Sequence, residues 1–232
     1  MPTNFISLGL NCEPVSHLVQ KKYVCTKAEG RKTLPFDLQL TSYTGLCLAI
    51  QEDFKHWFDL TTIDNPTGKQ YTNGALMWCK YLNVPYHDGI IYNPQYGIVF
   101  NHESPGHPDL HRTEKWSSRQ HFVVSNYELL KERYVARISH FRTTIETAIM
   151  IDSEVVFFLN TDVTPITLAK VIKTRYPELR FSIACKRMNS DVARILNDWD
   201  KYRAIHYNKK SLVEMAYDAT YAGPHIIMNA WS

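Results

Sequence analysis

Apolar positions change period several times along this chain, and each change marks an element. Asn4 to Gly9 carries Phe5, Ile6 and Leu8 in a short, nearly continuous apolar run, which predicts a buried strand over 4–9. Pro14 then opens a helix over 14–22, a position where a missing N–H is tolerated. From Thr41 onward Leu46, Cys47, Ile50, Phe54, Trp57 and Phe58 recur at helical spacing and predict a long amphipathic helix. Asp-Asn-Pro-Thr-Gly and Thr-Asn-Gly within 59–75 are turn chemistry. The proline-rich stretch 76–121 reads as a surface excursion with one short strand, Gly97 to Phe100, followed by a histidine-rich loop.

The best-defined helix follows. Ser125 and Glu128 match a capping box, and Leu130, Tyr134, Ile138, Phe141, Ile145 and Ile149 line one face. The opposite face carries Lys131, Arg133, Arg137 and Arg142, expected to be solvated, with an arginine able to reach an anionic ligand. After residue 150 the pattern alternates. Val155 to Leu159 reads as a strand covered on both faces, Thr164-Pro165 as a helix start running to Tyr176, and Arg180 to Cys185 as a second strand. A helix over 190–197, a strand over 202–207, a helix over 211–219 and an edge strand over 225–228 complete the series. The prediction is an α/β fold: a central, mostly parallel sheet flanked by helices, with a Rossmann-like C-terminal half. Residues 1–232 form a single α/β domain in this reading, as one body or as two lobes over 1–150 and 151–232.

Composition narrows the function classes. A net charge of only +3, spread along the chain, argues against nucleic acid as a partner. Five cysteines at 12, 25, 47, 79 and 185 form no C-x-x-C pair, which fits reduced thiols in the cytoplasm better than a disulfide framework or a zinc ribbon. No signal peptide and no apolar run of membrane-spanning length is visible. Abundant Tyr, Phe and Trp will mostly fill the core, with some able to stack on a sugar ring.

Several groups could carry chemistry. Cys12 stands where a strand turns into a helix, and the free N–H groups there favour a thiolate, although buried cysteines often only pack. His102-Glu103 follows a predicted strand. Asp37 could orient a histidine, cap the helix starting near Thr41, or act as a general base. His107, Asp109 and His111 have ligand-like spacing with His102, but Pro105 and Pro108 break the helix that would align them, so no metal is expected. Asn160-Thr161-Asp162 lies at the carboxyl end of a parallel strand, where ligands of open α/β sheets gather, ahead of a helix N-terminus that could meet a diphosphate. No dinucleotide or P-loop motif is present, and Asp198-Trp199-Asp200 is a D-x-D pattern short enough to arise by chance.

Four segments together carry a resemblance: Ser7-Leu8-Gly9-x-Asn11-Cys12, Pro35-Phe36-Asp37, Phe100-Asn101-His102-Glu103, and Arg133-Tyr134-x-x-Arg137-Ile138-x-x-Phe141. In this order they resemble the motifs of a papain-like cysteine peptidase family over residues 4–160. Leu38, Ala136 and His140 depart from its pattern, where a tryptophan and two arginines are usual. The resemblance implies Cys12 as nucleophile, His102 as its base and Asp37 as the carboxylate orienting the imidazole. It also implies a papain-like α+β fold as the alternative architecture, and a setting in cell-surface polysaccharide biosynthesis.

The expectation is therefore a Cys-His hydrolase or acyl transferase needing no cofactor and acting on a small-molecule or glycan substrate. Asn11, Asn101, Glu103, Arg137, Asn160 and Asp162 would face that substrate. The alternatives are a glycosyltransferase taking a nucleotide-sugar donor and a non-enzymatic binding module. Thiol labelling separates the first from the second, and nucleotide binding the second from both others.

Overall fold

In the computed structural model the described residues are 4–63, 90–104, 121–161, 163–187 and 226–227. In chain order they form β1 (Asn4–Gly9), α1 (Glu13–Gln20), β2 (Leu40–Thr41), α2 (Tyr43–Gln51), β3 (Thr61–Ile63), β4 (Ile90–Asn93), β5 (Ile98–Val99), a 3-10 turn (Asn101–Glu103), α3 (His121–Val124), α4 (Glu128–Met150), β6 (Val155–Asn160), α5 (Ile166–Arg175), β7 (Phe181–Lys186) and β8 (Ile226–Ile227). Two sheets result. One is parallel, in the order β1-β6-β7-β8; the other is antiparallel, in the order β2-β5-β4-β3.

The parallel sheet follows from its apolar runs. Val155, Phe157, Phe158 and Leu159 are all buried, as a strand covered on both faces requires. One face carries Ile6, Leu8, Phe157, Leu159 and Ile183 into a core shared with α4 and α5. The other carries Phe158 and Ala184 against Leu18 of α1. Because β1 pairs with β6, residues on either side of position 150 share one sheet. The α/β reading stands in that form. The elements expected over 190–197, 202–207 and 211–219, which the Rossmann-like half needs, lie outside the described residues.

The antiparallel sheet is the main departure from the expected pattern. Its strands are two to four residues long, too short for alternation to register in the sequence. A backbone bond ties it to the parallel sheet, the amide of Thr41 donating to the carbonyl of Leu10 at 2.9 Å. Between the sheets Trp57 meets Phe36 edge-on at 5.4 Å, Phe100 at 5.9 Å and Tyr134 at 5.8 Å. Burying aromatics of this size contributes about 2–3 kcal/mol each.

Two helix boundaries also differ. The helix expected from Thr41 to Phe58 stops at Gln51, because Asp53 and Phe54 adopt φ of 52° and 61°. Arg142 holds that corner through the Asp53 carboxylate at 3.1 Å and carbonyl at 3.0 Å, and Arg175 adds a 2.7 Å ion pair. Phe54 and Trp57 thus enter the core from turns. At α4 the expected capping box is absent: Tyr127, in the left-handed region, is the N-cap, and Ser125, two residues earlier, donates its hydroxyl to the Phe122 carbonyl at 3.0 Å and accepts from the Leu129 amide at 3.4 Å. Among the described residues no helix is long and apolar enough to cross a membrane.

Close approach of α2 to the β4–β5 connection demands a glycine. A Cβ on Gly45 would lie 1.7 Å from the Tyr96 carbonyl oxygen. Gly45→Ala is expected to destabilise the protein by about 3 kcal/mol, as overpacking against backbone does, lowering the urea midpoint at unchanged slope. An unchanged midpoint would contradict this packing.

Candidate active site

The site is built where β1 ends. Gly9 has φ +83°, and the β1–β6 register shifts between Ser7 and Gly9, so the chain swings away from the sheet. Leu10 bonds to Thr41, and Asn11 and Cys12 then lead into α1 with Cys12 as the N-cap residue. Capping falls to the neighbour: Asn11 Oδ1 accepts from the Glu13 amide at 2.9 Å, while the Cys12 side chain makes no capping bond. The thiol stays half-buried and free of structural duty.

Asn160 closes this end of the sheet from β6. Its Nδ2 donates to Asn11 Oδ1 at 2.7 Å and to Glu13 Oε2 at 3.3 Å, so Asn11, Cys12, Glu13 and Asn160 gather at the carboxyl ends of two parallel strands. Asn160 is fully buried, and its Oδ1 has no partner. Thr161 follows, buried, its hydroxyl accepting from the Val163 amide at 3.2 Å. Asp162 lies outside the described residues, as do His107, Asp109, His111, Asp198 and Asp200.

Electrostatics at Cys12 run against the thiolate expected of a helix N-terminus. Burial pushes the thiol above its ordinary value, its own backbone amide partly opposes this, and the Glu13 carboxylate adds to the rise. Desolvation is the largest of these effects. Cys47, buried beside Tyr43, is pushed up to about 12, and Cys185 to about 11, both by burial.

His102 sits half-buried in the 3-10 turn after β5, between buried Asn101 and buried Glu103. Glu103 and Arg137, both expected to face a substrate, form an ion pair inside the protein. Arg137 Nη1 donates to Glu103 Oε1 at 3.1 Å, the two side chains being 6% and 0% exposed, and Arg133 Nε stands 3.8 Å away. The Arg137 guanidinium lies 4.4 Å over the Tyr134 ring, whose hydroxyl accepts from Gln39 Nε2. Asn101 Oδ1 is buried without a partner. Ser104 pins the turn, donating to the Phe100 carbonyl at 2.7 Å and accepting from the Ile91 amide at 2.9 Å.

Asp37, expected to orient His102, holds other groups instead. Its Oδ2 accepts from Arg31 Nη1 at 2.7 Å and from the Leu34 amide at 2.9 Å, and its Oδ1 has no partner. Burial raises its carboxyl above the usual range, with Arg31 and then Arg137 opposing. Helix capping at α2 is done by Ser42, which accepts from the Gly45 amide at 3.0 Å. The segments carrying the two candidate groups are linked by backbone: Leu10 bonds to Thr41, and Thr41 pairs with Ile98. Cys12 stands two residues beyond the first contact and His102 four beyond the last. Gln39 carried no signal in the sequence, because its partner Tyr134 lies 95 residues away on α4.

Residues 3–182 match the model of a family described as "Putative papain-like cysteine peptidase". No curated protein and no solved structure matches the chain.

Two outcomes follow from this geometry. Arg137→Met strands a buried carboxylate and is expected to cost about 3–5 kcal/mol in urea unfolding, with part recovered in Arg137→Met/Glu103→Gln; simple additivity of the single costs would contradict the pair. In a His102→Ala variant, iodoacetamide labelling of Cys12 is expected to keep accelerating above about pH 9, since the thiolate forms late. A rate already level near about pH 7 would contradict the raised thiol.

Proposed function

The chain belongs to the family described as "Putative papain-like cysteine peptidase", and we propose that it is a cysteine hydrolase with Cys12 as nucleophile and His102 as base. The observation that carries this reading is the position of Cys12: an N-cap residue relieved of capping by Asn11, half-buried at the carboxyl ends of β1 and β6. Burial pushes the Cys47 thiol up to about 12 and the Cys185 thiol up to about 11.

A protonated thiol at rest needs a base at the moment of attack, and this assigns the imidazole its task. His102 takes the Cys12 proton as Sγ bonds to the acyl carbon and the carbonyl oxygen becomes an oxyanion. The amide of Cys12, next to the reacting sulfur, would be a donor for that charge. Collapse of the tetrahedral intermediate breaks the bond to the leaving group, which departs with the proton held by the imidazolium. A thioester remains on Cys12. Water, deprotonated by His102, adds to it and releases the acid and the free thiol; another acceptor in place of water would make the same reaction an acyl transfer.

Asn160 Oδ1 gives the site a buried acceptor for a donor on the substrate, next to Asn11. Asn101, beside His102, supplies a second such acceptor in Oδ1. The reading leaves Glu103, Arg137 and Asp37 out of the chemical steps and gives them the support of the 101–103 turn and the 34–37 segment. It also places the enzyme in a reducing compartment such as the cytoplasm, where a thiol nucleophile persists.

Hydrolysis of p-nitrophenyl acetate tests the assignment. Cys12→Ser is expected to remove turnover and the acetyl adduct on the Cys12 peptide, while Cys25→Ser and Cys185→Ser retain both. His102→Ala is expected to lower the acylation rate by about 10²-fold or more. Full turnover by Cys12→Ser would overturn the proposal.

A further inference from the structure

A carboxylate stands beside the nucleophile and has no task in acylation or hydrolysis. Glu13 follows Cys12 directly as the first residue of α1. Two bonds from outside the helix fix its place. Its amide donates to Asn11 Oδ1 at 2.9 Å, and its Oε2 accepts from Asn160 Nδ2 at 3.3 Å. Asn160 is fully buried at the end of β6 and grips Asn11 as well, at 2.7 Å. The Glu13 side chain is half-buried rather than sealed, and among the described residues it forms no ion pair. It is close enough to the sulfur for its charge to push the thiol up.

An acidic residue in the first turn favours a helix through the macrodipole alone. That duty needs no partner from a strand. Asn160 adds the constraint, drawing the carboxylate towards the strand ends where ligands of open α/β sheets gather. Neighbouring groups leave the charge standing. His17, one turn further along α1, is held below its usual value by burial, by Lys186 and by Lys21, so it is mostly neutral at about pH 7. Lys186 is in register with Asn160 on β7 and, among the described residues, makes no ion pair with Glu13.

A carboxylate here opposes the thiolate, and it repels an anionic acyl group in the same way. A cation on the substrate reverses both effects: it is attracted by Glu13, and once bound it offsets the charge that disfavours the thiolate. Consecutive Cα atoms lie about 3.8 Å apart, so a cation held by Glu13 falls close to the carbonyl that the Cys12 sulfur attacks.

We propose that Glu13 is a specificity-determining residue, selecting acyl substrates that carry an ammonium group one or two carbons from the carbonyl attacked by Cys12. The substrate class rests on the cysteine-hydrolase reading, whereas charge selection at the thiol is measurable without turnover.

Methanethiosulfonate reagents bearing an aminoethyl, ethyl or sulfonatoethyl group modify thiols by one chemistry and differ in charge. Their rates are read on the Cys12 peptide of the full chain, each divided by the rate with 2-mercaptoethanol. The aminoethyl reagent is expected to outpace the sulfonatoethyl reagent by at least about tenfold, a difference of about 1.4 kcal/mol, with the ethyl reagent between them. Glu13→Gln keeps the size of the side chain and an acceptor for Asn160, and should bring the ratio within about twofold of one. In the ester assay, glycine p-nitrophenyl ester should exceed p-nitrophenyl acetate in kcat/KM by at least about tenfold after correction for hydroxide hydrolysis, and Glu13→Gln should remove the difference. A helix-stabilising role alone would lower the urea midpoint of Glu13→Gln and leave the reagent ratios unchanged, and that result would overturn the proposal. Equal reagent rates in the intact protein, or preference for the sulfonatoethyl reagent, would overturn it too. Charge selection without ester turnover would support Glu13 in this role and overturn the hydrolase reading instead.

Discussion

A guanidinium paired with a carboxylate, both buried, organises this protein. Arg137 bonds to Glu103, stacks over Tyr134 and lies close enough to Asp37 for their charges to act on each other. Those four residues come from three separate segments: the loop before β2, the turn after β5, and the long helix α4. Taking such charges out of water costs several kcal/mol each, so the arrangement persists only while every partner is present. It fixes the 101–103 turn against α4. Two of the four motifs, those carrying Glu103 and Arg137, thus meet in one ion pair.

The motif around Cys12 is fixed differently. Gly9 turns the chain out of β1, and Asn11 binds Asn160 of β6 while capping α1. Cys12 is positioned by its neighbours and carries none of the structural work itself. This division has a chemical consequence. The groups with the strongest charges are committed to each other, and the thiol sits in a desolvated place beside Glu13, so its proton is retained until a base removes it. A nucleophile of that kind differs from a preformed thiolate–imidazolium pair: its reactivity depends on the base at each turnover.

How much of this could be read from the sequence depended on the length of each signal. β1, β6, α5 and β7 were legible because their apolar runs or proline boundaries span whole elements. The strands of the antiparallel sheet were not, since two to four residues cannot display a period. Phe54 and Trp57 extend the helical spacing of α2 while lying beyond its end, because the corner is set by Arg142 and Arg175 from distant helices. Arg137 looked solvated among Lys131, Arg133 and Arg142; only the fold reveals a carboxylate facing it. Cys12 and Asn160 were visible as residues at strand ends, but Asn11 as the cap, and burial as the force acting on the thiol, required coordinates.

The central claim is that His102 serves Cys12 as a base, and the pH dependence of a single acylation event addresses it most directly. In the intact enzyme, acylation of Cys12 by an active ester should rise and level near neutral pH, following an imidazole. In His102→Ala the same reaction should climb steadily into the alkaline range, following the thiol alone. Superimposable profiles for the two proteins would contradict the account.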